Sequence, residues 1–485
     1  MTADPPSTSA CPGDPFLSAA RSLFGTDGVR GPANRDSMTP AQVLRLGQAA
    51  AAVLIPAAAP TVNGDRPLAI IGRDPRVSGS MLESALAAGL ASRGVDVALA
   101  GIVPTPAVAA LIRRHRAAMG AVISASHNPP ADNGLKFFDA DGYKPDNRQE
   151  AAIERWLQSE QNQDLPIGHV RGSDADWPDG LGCGQVTTLE SAAEDYIETC
   201  LETLEGTRLD GLRMVVDPGH GAAFHTSPEV LRRAGAEVVA HFDRPDGRRI
   251  NVDCGCTHPQ VLQRLVTEAR ADVGIAHDGD ADRVVLCDET GAVLDGDELM
   301  AILALDLLEQ DRLQRRTLVT TVMSNHGLVE LLQRHGAEVM RTAVGDRHVI
   351  AAMREHDCNL GGEQSGHIIL RDHNTTGDGI VAALAVLRIM RRRGLPLSRL
   401  RACLTRLHQA RRDFVVRSKP PVDQLHEAMD LIRETESAMG GGGRTLLRYS
   451  GTEPLIRLLI EGGDGSYIEA QADRIAAAIH RQIGA

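Results

Sequence analysis

Apolar residues in this chain come in short runs, each closed by a cluster of Gly, Asp, Ser or Asn. Leu68–Gly72 runs into Gly72-Arg73-Asp74, and residues 120–124 run into Ala125-Ser126-His127-Asn128-Pro129. Met214–Val216 leads to Asp217-Pro218-Gly219-His220-Gly221, Val273–Ala276 to Asp278, and Leu318–Val322 to Ser324-Asn325-His326-Gly327. Segments with helical apolar spacing follow at 80–93, 225–235, 259–270 and 326–335. Strand, Gly-rich turn and helix in repetition predict an α/β architecture with largely parallel sheets. Ligands of such sheets gather at the carboxyl ends of the strands, where these loops lie.

The polar stretch 157–188, with Trp177, reads as a surface excursion, and a helix is expected from near Leu189 to about Leu204. Leu294-Asp295-Gly296-Asp297 opens another helix and a further domain. The Arg391-Arg392-Arg393 end of helix 383–393 suits a helix C-terminus, whose partial charge is negative. The Gly440–Gly443 run reads as a hinge or loose loop, and a β-rich segment after Phe414 ends in a helix from about Ser466. The expected division is a mobile tail at 1–18, then domains at 19–188, 189–294, 295–410 and 411–485.

Length and charge narrow the function. The 485 residues suit three or four domains. A net charge of −13 and 3% aromatic residues disfavour nucleic acid as a partner. No apolar run reaches the ~18 residues of a membrane span, and the start lacks a basic segment typical of a secretory signal. Eight scattered cysteines form no disulfide framework, which suits a reducing cytoplasm.

Four loops carry chemistry. Asp278-Gly279-Asp280-Ala281-Asp282 sets three carboxylates at alternate positions, expected to point one way from an extended segment. Acids this close repel one another unless a cation sits among them, and hard oxygen ligands suit magnesium. A calcium loop would need Gly where Arg283 stands. Ser126 sits at a strand end and is expected to be more exposed than Ser124; taken alone, a turn serine is usually a cap. As a nucleophile it needs an orienting neighbour or a prior covalent charge. No G-x-S-x-G elbow is present.

Gly361-Gly362-Glu363-Gln364-Ser365-Gly366-His367 offers hydroxyl-reading groups and, in His367, a proton shuttle. Arg448-Tyr449-Ser450-Gly451-Thr452-Glu453-Pro454, with Arg457, has the donors of a phosphate cradle and lacks the G-x-x-x-x-G-K of triphosphate loops. An ordinary turn between strands is the competing reading. Cys254-Gly255-Cys256-Thr257-His258 lacks the second ligand pair that a zinc site needs.

Together with Phe24-Gly25-Thr26-Asp27-Gly28-Val29-Arg30-Gly31, these four loops occur in an order that closely resembles the α-D-phosphohexomutase family, from about residue 22 to 482. Gln364, Val344-Gly345-Asp346-Arg347 and Thr375-Thr376-Gly377-Asp378-Gly379 resemble its amino-sugar branch. The resemblance implies three related mixed α/β domains plus a smaller C-terminal α+β domain around a central cleft. It implies interconversion of glucosamine 6-phosphate and glucosamine 1-phosphate, feeding UDP-N-acetylglucosamine synthesis, with a mannose or glucose phosphate mutase as the alternative and a non-catalytic sugar-phosphate sensor as the remote one. A phosphorylated Ser126 would bind Mg2+ with Asp278, Asp280 and Asp282, and a hexosamine 1,6-bisphosphate would be intermediate and activator. Arg30 and Lys136 would line the reacting centre, with Lys136 and His367 moving protons. Glu363, Ser365 and Arg283 would contact the sugar phosphate, and Arg448, Ser450, Gly451, Thr452 and Arg457 would hold its distal phosphate. The family often has Gly where Ala281 stands, and the methyl is expected to point away harmlessly. A cytoplasmic monomer or homodimer is the implied state.

Overall fold

The computed structural model describes residues 23–25, 27–55, 61–62, 66–161, 178–450 and 454–484. The tail at 1–18, residues 162–177 of the 157–188 excursion, and Gly451 and Thr452 lie outside the described residues.

The first sheet holds β1 (Val29–Pro32), β2 (Thr61–Val62), β3 (Arg66–Arg73), β4 (Asp96–Ile102), β5 (Met119–Ile123), β6 (Asp132–Phe138) and β7 (Val186–Thr188), in the order β1-β6-β5-β3-β4-β7 with β2 against β3. The second holds β8 (Arg213–Asp217), β9 (Glu237–Ala240), β10 (Val273–His277), β11 (Val284–Asp288) and β12 (Val293–Leu294), ordered β12-β11-β10-β8-β9. The third holds β13 (Thr317–Thr321), β14 (Glu338–Thr342), β15 (Leu360–Gly362) and β16 (Ile368–Leu370), ordered β14-β13-β15-β16. β17 (His408–Val415), β18 (Gly443–Tyr449) and β19 (Leu455–Gly462) form a small antiparallel sheet.

The first three sheets repeat one motif. In each, two parallel strands adjoin a third parallel strand, which then folds back as an antiparallel hairpin: β3, β4, β5 and β6; β8, β9, β10 and β11; β13, β14, β15 and β16. The sheets are therefore mixed. The chemically interesting loops sit at the hairpin turns of this motif and do not lead into helices, as largely parallel sheets would have required. Strand β11 shows why: Val284–Asp288 is buried throughout, and it pairs with β10 along its length.

Local signals set the helix ends. Asp295 caps helix Gly296–Glu309 through a capping box with Glu298. Helix Gly379–Arg393 ends at left-handed Gly394, where Arg392 pairs with Asp306 and Arg393 with Glu309. Helix Ala192–Glu202 lies inside the expected span. Two expectations change. Residues 186–188 return from the excursion to form an edge strand on β4, and Gly440 is the left-handed C-cap of helix His426–Met439, turning the chain tightly into β18.

Apolar residues from one face of each of the first three sheets merge into one core, which runs from Ile70 and Val108 through Tyr196 and Ile275 to Leu384, while the opposite faces carry clusters of their own. The C-terminal unit has its own core around Ile456, Ile460 and Ile475. Polar joints strengthen the first group. Asp378, buried, caps helix Gly379–Arg393 and accepts from the Tyr196 hydroxyl (2.9 Å) and from Asn374 Nδ2 (2.9 Å). Asn374 also donates to Pro106 O, and Thr375 Oγ1 donates to Gly142 O.

Tyr196→Phe removes one donor from this joint and leaves its shape. A buried hydrogen bond to a charged acceptor contributes about 1.5–3 kcal/mol. The variant should unfold at correspondingly lower urea, measured by circular dichroism. An unchanged midpoint would show that Asp378 is satisfied without the tyrosine.

Candidate active site

Ser126 lies in the β5–β6 hairpin turn with φ +52°, a left-handed conformation that is uncommon away from glycine and concentrates at functional sites. It is 1% exposed, and Ser124 is fully buried, so neither is the exposed loop member that alternation suggested. Ser124 serves the frame: its hydroxyl donates to Asp74 Oδ2 (2.6 Å) and accepts from the Ser126 N–H. Arg76, also buried, donates to Ser126 O (2.9 Å), Asn128 O (2.8 Å) and Asp132 O (2.9 Å), while Asp74 holds its Nε. Asn251, from the second sheet's unit, donates to the same Ser126 carbonyl. Only Oγ is left for chemistry, and it donates to Asp278 Oδ2 at 2.5 Å.

The three aspartates converge because their loop turns; the expected extended segment is absent. Ala281 N donates to Asp278 O, closing a turn, and ligand oxygens of Asp278, Asp280 and Asp282 lie within 4.8 Å of one another. A Cβ on Gly279 would come 2.6 Å from Ser126 O, so glycine permits this approach of the two hairpins. Ala281 has φ +56°, which is why glycine suits the position. Its methyl does not point into open space but is buried in the main core.

Burial pushes all three acids up. For Asp280 and Asp282 the Lys136 ammonium, at 2.9 and 3.0 Å, outweighs this and holds them ionised. Asp278 lacks that partner; burial and its two acid neighbours push it well above the usual carboxylate range. Asp280 Oδ1 and Asp282 Oδ1 are buried without hydrogen-bond partners. Two orphan oxygens beside a third carboxylate are a donor set fitted to a hard divalent cation. Among the described residues this is the one such cluster.

Burial opposes the charge on Lys136, but Asp27, Asp280 and Asp282 overcome it and lift its pKa well above the ordinary value. Arg30 pairs with Asp27 and donates to Ala125 O and Asn128 Oδ1, bracing the serine loop from the other side. His367 is buried between acids, with Nδ1 3.7 Å from Asp282 and Nε2 3.6 Å from Asp346. Burial pulls its pKa down, yet those carboxylates leave it raised. Gly377 N–H donates to Nε2 (3.2 Å), which places a neutral ring's proton on Nδ1, facing Asp282. His127 Nδ1 lies 3.3 Å from Ser126 Oγ; burial, Arg283 and Arg30 depress His127 to about 4.

A cavity of about 560 Å³ opens from this centre, lined by Asp282, Arg283, Glu363, Ser365, His367 and Arg411 among others. Glu363 accepts from Gly345 N–H through Oε1, and Ser365 is exposed at the loop tip. Arg448 and Arg457 stand directly opposite each other on β18 and β19. Burial and the Arg457 charge lower the Arg448 pKa. Two guanidiniums in register repel; Asp413 on β17 pairs with Arg457 at 3.5 Å, and the charge it leaves on the pair favours a further anion. Arg448 reaches the cavity rim, 3.8 Å from Met323 Sδ. Lys419 donates to Ser450 O at the same turn.

Models of phosphoglucomutase/phosphomannomutase domains match in order: α/β/α domain I at residues 21–164, domain II at 194–291, domain III at 295–407 and the C-terminal domain at 413–478. The chain belongs to this family, the α-D-phosphohexomutases. It is 46% identical to a phosphoglucosamine mutase of Anaeromyxobacter sp. (strain Fw109-5), over 96% of this chain and 97% of that one. It is also 46% identical to a phosphoglucosamine mutase of Symbiobacterium thermophilum, over 95% and 99%. Its fold is similar to that of a phosphoglucomutase/phosphomannomutase family protein from Burkholderia thailandensis, at 24% identity and a TM-score of 0.74 over 95% and 98% of the chains.

Several residues of this phosphohexomutase's site were not singled out from the sequence as site residues. Asp74 and Arg76 follow β3, and Asn251 sits in a loop of the second unit. Lys144 bridges Asp27 to Asp346, and Arg347 donates to Gly25 O and pairs with Glu150, so the Gly345-Asp346-Arg347 segment ties the third sheet's unit to the first. Only the Arg and Lys residue types next to known loops could have flagged them.

Asp278→Asn keeps size and shape and removes the charge least tolerated without a cation. The cation-free phosphohexomutase should be as stable or more so, while its stabilisation by magnesium shrinks. For wild type that stabilisation is about 2.7 kcal/mol at a hundredfold excess over Kd. Melting curves against magnesium for both proteins check this; superimposable magnesium responses would remove the three-aspartate site.

Proposed function

We propose that this phosphohexomutase interconverts glucosamine 6-phosphate and glucosamine 1-phosphate through a phosphorylated Ser126. The observation that carries the chemistry is the buried Ser126 hydroxyl, 2.5 Å from one of three clustered aspartates, two of which have orphan oxygens. Full-length likeness to phosphoglucosamine mutases supports the amino sugar. An N-acetylphosphoglucosamine mutase of Aspergillus fumigatus, whose structure holds GlcNAc-6P and magnesium, shares the fold at a TM-score of 0.59 and 19% identity. The reading takes residues 19–188, 189–294, 295–410 and 411–485 as four domains.

Asp278, Asp280, Asp282 and a phosphoserine oxygen would hold Mg2+, which when bound withdraws charge from the phosphorus. The arginines of the fourth domain, with Ser450, Gly451 and Thr452, grip the substrate's own phosphate. Glu363 and Ser365 orient the ring, and Arg30 and Arg283 neutralise oxygens at the transfer point. The sugar's free hydroxyl oxygen bonds to phosphorus as the Ser126 Oγ–P bond breaks, giving a bisphosphate. The hydroxyl proton passes to His367 or Lys136. His367 takes it in its neutral form, and Lys136, held charged by Asp27, Asp280 and Asp282, takes it only after releasing a proton of its own. The bisphosphate then turns end for end, and Ser126 Oγ attacks the other phosphorus, releasing the isomeric monophosphate.

Ser126→Ala should lower turnover at least a thousandfold. Because the lost hydroxyl is buried against a carboxylate, the variant should also lose about 1–3 kcal/mol of stability. More than a tenth of the wild-type rate would move the phosphorylation to another residue. For the sugar, kcat/KM for glucosamine, glucose and mannose 6-phosphates should rank glucosamine first. A tenfold preference for either neutral sugar, about 1.4 kcal/mol, would replace the amino-sugar reading by the mannose or glucose alternative.

A further inference from the structure

The Ser324-Asn325-His326-Gly327 segment takes no part in the chemistry above, yet it touches both halves of the substrate machinery. Its loop follows β13. On one side lies the sugar-reading loop. Gln364, which lines the cavity, donates through Nε2 to Asp297 Oδ2 (3.0 Å), and the same oxygen accepts the Asn325 N–H (2.9 Å). Asp297 and Asn325 are 0% and 1% exposed, so water does not substitute for these bonds. A Cβ on Gly296 would stand 2.0 Å from Glu363 O, so the start of helix Gly296–Glu309 is pressed directly beneath the sugar loop. A second strand of contacts runs parallel: Thr320 Oγ1 donates to Gly362 O (2.9 Å) and accepts from Ser324 Oγ (2.5 Å).

On the other side lies the phosphate-gripping unit. Asn325 clamps the connecting chain at two points, Nδ2 donating to Leu407 O and Oδ1 accepting the Leu407 N–H, each at 3.0 Å. Leu407 immediately precedes β17. Arg444 of β18 donates to Ser324 O (2.7 Å), and Arg448 reaches Met323 Sδ. Three consecutive residues thus bear on the joint, on the hairpin and on the phosphate-binding arginine.

We propose that residues 323–325 are a relay through which occupancy of the sugar loop sets the position of the fourth domain, with Asp297 and Asn325 as positioning residues. The inference rests on the assignment of Glu363–His367 to the sugar and of Arg448 and Arg457 to the phosphate. Its physical content is a contiguous chain of hydrogen bonds from Gln364 through Asp297 and Asn325 to the Leu407 backbone, buried at the Asp297–Asn325 step and half-buried at its two ends. A ligand that draws Gln364 inward shifts the acceptor shared with Asn325, and Asn325 is bonded to the segment that connects the third sheet's unit to β17.

Hydrogen exchange followed by mass spectrometry, with and without saturating glucosamine 6-phosphate, tests this. In wild type the ligand should slow exchange at least fivefold in peptides covering 360–368, 405–411 and 443–462. In Asn325→Ala and in Gln364→Ala, protection of 360–368 should remain while that of 405–411 and 443–462 falls by at least half. KM should rise about tenfold, with kcat changing less than threefold. Gln364→Ala trims a half-buried side chain and covers the case in which Asn325→Ala misfolds. If both variants protect 443–462 as wild type does, the relay is wrong. If wild type shows no protection of 360–368, the sugar-loop assignment fails instead.

Discussion

Three carboxylates buried in one tight turn are the constraint around which this molecule is organised. Left alone, Asp278, Asp280 and Asp282 would repel one another in a medium that screens poorly. The fold meets the repulsion with cations from elsewhere: Lys136 from β6, Arg283 from the turn's own exit, and His367 from the third sheet's hairpin. Two of the three, Lys136 and His367, arrive from other units, so assembling the units and stabilising the acids are one event. The compensation is incomplete, because Asp280 Oδ1 and Asp282 Oδ1 accept no hydrogen bond. That unmet demand fits the cluster to a further cation, beyond what a salt-bridge network would call for.

The same logic explains why one topological motif occurs three times. Turning the third strand of each unit into an antiparallel hairpin puts a short, rigid turn where a parallel sheet would place a longer strand-to-helix loop. Three such turns meet: one brings the serine, one the acids, one the imidazole and Glu363. A turn braced by two paired strands holds a side chain to within a fraction of an ångström. The Arg76 fork and the Thr375–Asp378 joint then fix the turns against one another.

What could be read from the sequence was local chemistry. Asp-x-Asp-x-Asp, Gly-Glu-Gln-Ser-Gly-His and Arg-Tyr-Ser-Gly-Thr-Glu-Pro announce their content through residue types confined to a few positions. Helix starts such as Asp295 with Glu298 were legible for the same reason. Geometry that depends on distant partners was not. Arg76 gains its meaning from carbonyls some fifty residues away, and Lys144 from Asp346, about two hundred residues on. Nor does alternation along a strand survive into a turn. The acids converge through a left-handed Ala281, and Ser126 is buried at positive φ, where period-two reasoning placed extended, half-exposed residues.

Continuity of the core separates the part of the molecule that must not move from the part that must. The serine, the acids and His367 stand on units that share one apolar cluster, so displacing any of them would open buried surface. The arginine pair stands on a unit with its own core, joined to the rest by polar contacts and one connecting segment. Phosphoryl transfer needs the donor and acceptor oxygens held in line, and a bisphosphate that turns end for end needs room while staying captured. A three-unit block bearing Ser126, faced by a separately cored unit bearing the arginine pair, suits both demands. In one body, either the alignment or the turning would be lost.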